Sequence, residues 1–311
     1  MTAVLGPPRL EDLGGGLYAY VQPDGSWMIN NTGVLVGSGG VVAVDSSSTE
    51  RRTRAFADGV AALGRGPVHT LVNTHSHPDH VAGNGWFPGA TIVAHERTRA
   101  ALVGPRPAPL AGIFEPYDPG ELPPAPPFLT YTEGITLWVD DLRCEVRHVG
   151  TPAHTTNDSI VWVPERSVLY AGDLLFQGGT PFLLSGSVAG AIAVLESVIA
   201  PLGARTIVPG HGPVCGPELI EPTVRYLRFV QDVARRGVEA GLSPLEAARE
   251  TDLGEYAGWS EAERIVGNLH RAYVEVPHES TGGEPGGPID VPAAFRDMVA
   301  YNGGRPLTCR A

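Results

Sequence analysis

The chain has 311 residues, 42% of them hydrophobic, a formal net charge of −12 and 22 basic residues, every one an Arg. That length is ample for a substantial core, in one large domain or two, and the acidic balance argues against a nucleic-acid partner, which needs a basic face for phosphates. No apolar run is long enough to cross a bilayer. The start "MTAVLGPPRLEDLGGG" has no export signal, and three cysteines without paired spacing, Cys144, Cys215 and Cys309, predict a cytoplasmic protein.

In chain order, "LYAYV", "GVLVG" and "VVAV", between Leu17 and Val44 and separated by Gly turns, predict antiparallel strands. Thr49 to Leu63 reads as a helix with Thr49 as its N-cap. "VHTLVNT" is apolar and β-branched, as a buried strand is, and it leads directly into "NTHSHPDH", residues 73–80. His75 and His77, two apart in extended backbone, point the same way. Pro78 then turns the chain and brings Asp79 and His80 in from another side.

Residues 103–128 are too rich in Pro for a helix or a central strand. The apolar mass of Ile113, Phe114, Tyr117 and Phe128 predicts a substrate lid there rather than a disordered insert. Strands and helices alternate as far as "TIVPG", around Ile207, with no short-period repeat. From Glu218 onward the period is helical, with Pro or Ser at starts and Gly at stops, broken by a Gly/Pro-rich linker near 280–288. The expected organisation is a sheet-rich domain over residues 1–217 and a helical extension over 218–311 packed on it. Arg225, Arg228, Arg235 and Arg236 recur along the first helix of that extension, where a solvated face is the default.

Imidazoles and a carboxylate packed as closely as in "NTHSHPDH" are the ligand types zinc selects. One loop cannot complete a metal site. His154 in "GTPAHTTND", Asp173 in "VLYAGDLLF" and His211 in "TIVPGHGP" each follow an apolar strand-like run beside a Gly/Pro turn, where a strand's end hands a side chain to a site. Singly each reads as structural. Together, in this order, they resemble the metallo-β-lactamase superfamily, whose early Asp corresponds to Asp45 in "VVAVDS".

The resemblance implies an α/β fold, an αββα sandwich of two face-to-face sheets with helices outside. It implies that His75, His77 and His154 hold one zinc ion and that Asp79, His80 and His211 hold a second. Asp173 and a water or hydroxide would bridge them, and Asp45 would orient a ligand through a hydrogen bond. Zinc lowers the pKa of a bound water from about 16 to about 7. Asp79 and Asp173, in contact with that bridge, are the candidate catalytic carboxylates.

The resemblance extends further. "GTPFLLSGSVAGAIAVLE", "GHGPVCGPELI", the spacing from Leu253 to Glu275 and the terminal "MVAYNGGRPLTC" are similar to the metallo-β-lactamase-type cyclase/thioesterases of bacterial aromatic (type II) polyketide pathways. It runs nearly end to end, with Ser76 and Pro78 as departures beside the ligands. It implies a substrate carried as a thioester on an acyl carrier protein, a later ring closed by aldol condensation and dehydration, and hydrolysis of the thioester. Homo-oligomerisation is left open. Phe114 and Tyr117, with Phe176, Phe182, Leu183 and Leu184 in the apolar stretch after Asp173, are the predicted pocket walls, suited to a hydrophobic or aromatic substrate. The alternative on the same ligands is a glyoxalase-II-like thioesterase or a lactonase. A redox di-iron protein of this fold would carry a carboxylate where His77 stands.

Overall fold

A computed structural model describes residues 6–105, 111–276 and 288–311. Seven strands form the first sheet in chain order: β1 (Arg9–Gly14), β2 (Leu17–Val21), β3 (Thr32–Gly37), β4 (Gly40–Val44), β5 (Val68–Val72), β6 (Thr91–His95) and β7 (Leu129–Tyr131). Pairing is antiparallel through β4 and parallel from β4 to β7. The second sheet runs β12-β11-β10-β9-β8, built from β8 (Gly134–Val139), β9 (Leu142–His148), β10 (Ser159–Val163), β11 (Val168–Phe176) and β12 (Thr206–His211). Only its β11–β12 pair is parallel.

The two sheets face each other, which explains why several strands are apolar without alternation. In β4, Val42 and Val44 meet the other sheet, whereas Val41 and Ala43 pack outward on Phe56 and Val60 of α1 (Glu50–Ala61). In β10, Val161 and Val163 turn inward, and Ile160 and Trp162 join the core beneath the C-terminal helices. Both faces of a strand are therefore covered, one by a sheet and one by helices. This is the αββα sandwich expected from the sequence.

The helices begin and end where the side chains dictate. Thr49 caps α1 by accepting from the Arg52 amide. The short α2 (Pro78–Val81) and α3 (Glu96–Val103) follow, then α4 (Val188–Val194). Helix α5 (Ile220–Ala240) stops at Gly241, which takes the left-handed conformation (φ 70°) that a C-terminal cap requires. Ser243 and Glu246 form a reciprocal capping box at α6 (Pro244–Glu250). Helices α7 (Arg264–Glu275) and α8 (Val291–Tyr301) complete the extension. Leu169 and Leu175 of β11 share one core with Val224, Leu227, Ile265, Leu269 and Met298, so the extension shares its hydrophobic interior with the sandwich. All but Pro288 of the expected linker, and residues 106–110 of the expected lid, lie outside the described residues.

Candidate metal centre

The candidate ligands come from the turn and short helix after β5, the connection between β9 and β10, a bulge in β11 and the end of β12. Strand β5 stops at Val72, and the following turn is held by a reciprocal amide pair. Asn84 Nδ2 donates to Asn73 Oδ1 (2.8 Å), and Asn73 Nδ2 donates to Asn84 Oδ1 (3.0 Å). His75 and His77 therefore project from a turn rather than from extended strand, with ring centroids 4.9 Å apart. Pro78 opens α2, which sets Asp79 and His80. His154 lies between β9 and β10, and His211 is the last residue of β12. Asp173 lies inside β11, where the register against β12 shifts at Gly172, and that bulge re-aims the side chain.

The donors converge as two sets. His75, His77, His154 and Asp173 bring one atom each within 4.8 Å of one another, as do Asp79, His80 and His211. Asp173 touches both: its carboxylate lies 3.3 Å from His154 Nε2, 3.0 Å from His80 Nε2 and 3.3 Å from His211 Nε2. His154 Nε2 and His77 Nδ1 face each other at 2.7 Å. His75 Nε2, His80 Nε2 and Asp173 Oδ1 are buried without an aligned hydrogen-bond partner. Buried polar atoms left in that state cost free energy, and a cation among them would remove the cost. The donors are nitrogen and oxygen only, which suits zinc and related divalent ions.

Behind the donors the orienting bonds are complete. Asp45 accepts from the Thr74 amide (2.7 Å), Thr74 Oγ1 (2.7 Å) and His80 Nδ1 (2.8 Å). It does so from a left-handed backbone (φ 63°), an uncommon state for a non-glycine residue. His211 Nδ1 donates to the Gly25 carbonyl (3.0 Å) and His154 Nδ1 to that of Phe182 (2.5 Å), leaving each Nε2 for the centre.

Charge divides the donors nearly as their geometry does, with Asp173 now on the side of Asp79, His80 and His211. Burial pushes His75, His77 and His154 down, His75 well below the ordinary imidazole value and His154 to about 3. Burial also opposes charge on the remaining four, but there it is outweighed. The carboxylates of Asp173, Asp45 and Asp79 raise His80 well above its ordinary value, and Asp173 and Asp79 carry His211 up to about 9. In return Asp79 falls to about 2 and Asp173 well below the carboxylate range. The two carboxylates thus demand positive charge, which protons on His80 and His211 supply and a bound cation would displace.

A model of the metallo-beta-lactamase superfamily matches residues 25–211, a span that includes all seven donors and Asp45. The chain belongs to the metallo-beta-lactamase superfamily. It is 30% identical over 221 residues to hydroxyacylglutathione hydrolase of Rhodospirillum rubrum, covering 70% of this chain and 74% of that protein. It is 25% identical over 231 residues to metallo-beta-lactamase type 2 of Bacteroides fragilis, covering 70% of this chain and 85% of that one. Its fold is similar to that of a metallo-beta-lactamase from Pontibacter korlensis, with a TM-score of 0.58 at 18% identity, over 71% of this chain and 99% of that one. A superfamily hydrolase that binds metal is the activity class to which these matches point.

A cavity of about 450 Å³ opens over the donors. Phe114, Phe176, Phe182 and Leu184 line it; Tyr117 and Leu183 are not among its lining residues, and Leu183 is buried in the core beneath the helices. Sequence reasoning missed Trp27, Arg264 and Phe295. Trp27 packs edge-on to Phe114 (5.4 Å between centroids) and Phe182 (4.9 Å), and Phe295 of α8 closes on both phenylalanines (5.9 and 6.0 Å). Arg264 stands 4.1 Å over the Trp27 ring, pairs with Glu261 and donates to the Thr180 carbonyl (2.9 Å). Its only signal in the sequence was an Arg on the apolar face of a helix.

Proposed function

We propose that this protein is a dinuclear zinc cyclase/thioesterase acting on an aromatic polyketide carried as a thioester. The observation that carries this is the box of Trp27, Phe114, Phe182 and Phe295 standing beside the donor cluster. Four rings from four separate segments suit a flat, apolar ring system better than a small polar substrate.

His75, His77 and His154 would hold one ion and Asp79, His80 and His211 the other, with Asp173 shared. Two zinc ions held there would supply Lewis acidity and a nucleophilic or basic oxygen near neutral pH. The chain's own residues do the rest. The aromatic walls exclude water and hold the flexible chain so that one carbon lies against one ketone, the proximity that selects a ring. Arg264, stacked on Trp27 and paired with Glu261, holds the indole wall of the cavity in place. Asp79, depressed to about 2, stays a carboxylate across the working range and can accept a hydrogen bond at Oδ2. The net chemistry is an aldol closure with loss of water, followed by hydrolysis of the thioester to the acid.

The stripe of arginines on α5 lends little support to carrier docking. Arg225 pairs with Glu221 and Glu255, Arg228 with Glu196, and Arg235 with Asp232, so much of the positive charge is already met. A carrier protein remains part of the proposal through the thioester alone.

The test is product analysis after adding the purified protein to a reconstituted minimal polyketide synthase with its ketoreductase and aromatase. A new cyclised, released acid supports the proposal; an unchanged product profile overturns it. The similarity to hydroxyacylglutathione hydrolase favours a second reading, hydrolysis of a glutathione thioester. Rapid turnover of such a thioester, with no effect on the polyketide products, would establish that alternative.

A further inference from the structure

A second cavity, of about 510 Å³, lies against the same ligand-bearing turn. Ser76 and Val81 bound it on one side, Ala101 and Leu102 of α3 on another, and Leu122 and Pro126 on a third. None of its lining residues carries a permanent charge, and only Ser76 and His77 are polar. His77 and Pro78 line both cavities, so the two meet at a ridge that carries a metal-site donor.

The outer wall is preformed. Trp86 Nε1 donates to the Glu121 carbonyl (2.7 Å), Asn84 Nδ2 to that of Ala125 (3.3 Å) and the Arg99 guanidinium to that of Pro127. A methyl group on Gly85 would come within 2.2 Å of the Pro123 carbonyl, so backbone packs directly on backbone there. Proline on this stretch restricts it further. Two large apolar side chains sit in water on the segments that form the walls, Val103 at the end of α3 (57% exposed) and Phe128 just beyond Pro126 (85% exposed). An uncharged, preformed recess edged by exposed apolar groups is a place for apolar ligand surface.

We propose that this recess binds the apolar arm of an elongated substrate, an alkyl or acyl segment, whose reacting carbonyl lies across the His77–Pro78 ridge while its ring system occupies the aromatic box. This rests on the proposed function for the identity of the reacting group. It goes beyond it in requiring a substrate that extends to both sides of the metal centre.

The test is binding, measured by calorimetry with the metal-loaded protein and a series of alkyl aryl ketones of increasing chain length. Affinity should rise about three- to fourfold per methylene until the recess is filled. Ala101→Trp and, separately, Leu102→Trp put an indole into the recess, and each should collapse the ratio of long-chain to short-chain affinity at least tenfold. Ala101 is solvent-exposed, so its variant should keep its thermal melt and metal content. Affinity that does not depend on chain length, or a ratio that survives both substitutions, overturns the recess. The two proposals fail separately: chain-length-dependent binding in a protein that cleaves no thioester upholds the recess and sinks the catalytic role, whereas thioester turnover with flat binding does the reverse.

Discussion

Single side chains at the donor cluster can be separated by what each touches. His75→Ala removes a buried donor of the four-membered set, and elemental analysis should find zinc falling from about two ions per chain to about one, with nearly all activity lost. Asp79→Asn keeps the shape and removes a charge, so the second ion should bind far more weakly, and the apo protein, which loses the pairs to His80 and His211, should melt at a lower temperature at neutral pH. Asp45 holds His80 through Nδ1, and Asp45→Asn should weaken metal binding about 10–100-fold, read by competition with a chromophoric chelator. Gly210 is constrained by distance alone: a methyl group there would lie 1.9 Å from Asp173 Oδ1. Gly210→Ala should displace the shared carboxylate and cost both sites their metal. The donors were legible because their chemistry is concentrated in rare residue types at fixed spacing. Trp27 and Arg264 were not, since an indole in a turn and an arginine within a helix look alike whether they wall a pocket or pack a core.

Among the elements, strands buried on both faces and helices with good caps were readable, because apolar runs, Thr49, Ser243 and Gly241 are local signals. The position of Asp173 within β11 was not, since a bulge depends on the partner strand. The junction leading into α7 shows what such elements contribute. Glu261 accepts from the Trp27 amide and pairs with Arg264, and burial raises its carboxyl from 4.5 to about 7. Between those values the folded chain keeps a proton that the unfolded chain releases. Its contribution to stability is therefore complete below about pH 4.5 and is lost as pH rises through about 7. Glu261→Gln removes that titration, so the melting temperature of the variant should fall less steeply than the parent's between about pH 5 and pH 7. Parallel curves would mean that Glu261 is charged throughout.

At the scale of the molecule, the helical extension and α4 share one core with the outer face of the second sheet. Removing residues 218–311 would open the core that holds Ile160, Leu169, Leu175 and Ile207, at up to about 1.5–3 kcal/mol for each such side chain left in water. The shortened chain should bind hydrophobic dyes and lose its cooperative melt; a sharp transition at the parent temperature would show that the extension is an independent domain. The donor cluster itself has a mechanical consequence. His75, His77, Asp79 and His80 follow the first sheet, His154, Asp173 and His211 belong to the second, and each donor set draws on both; all three cysteines are free, so no disulfide fastens one sheet to the other. Ions at this seam would act as rivets, binding residues far apart in the chain only when the fold brings them together, and so stabilising the folded state by mass action. Stripping them with a chelator should lower the melting temperature and quicken amide exchange first at the C-terminal ends of β5 and β12, while β1 and β2, remote from the rivets, exchange as before.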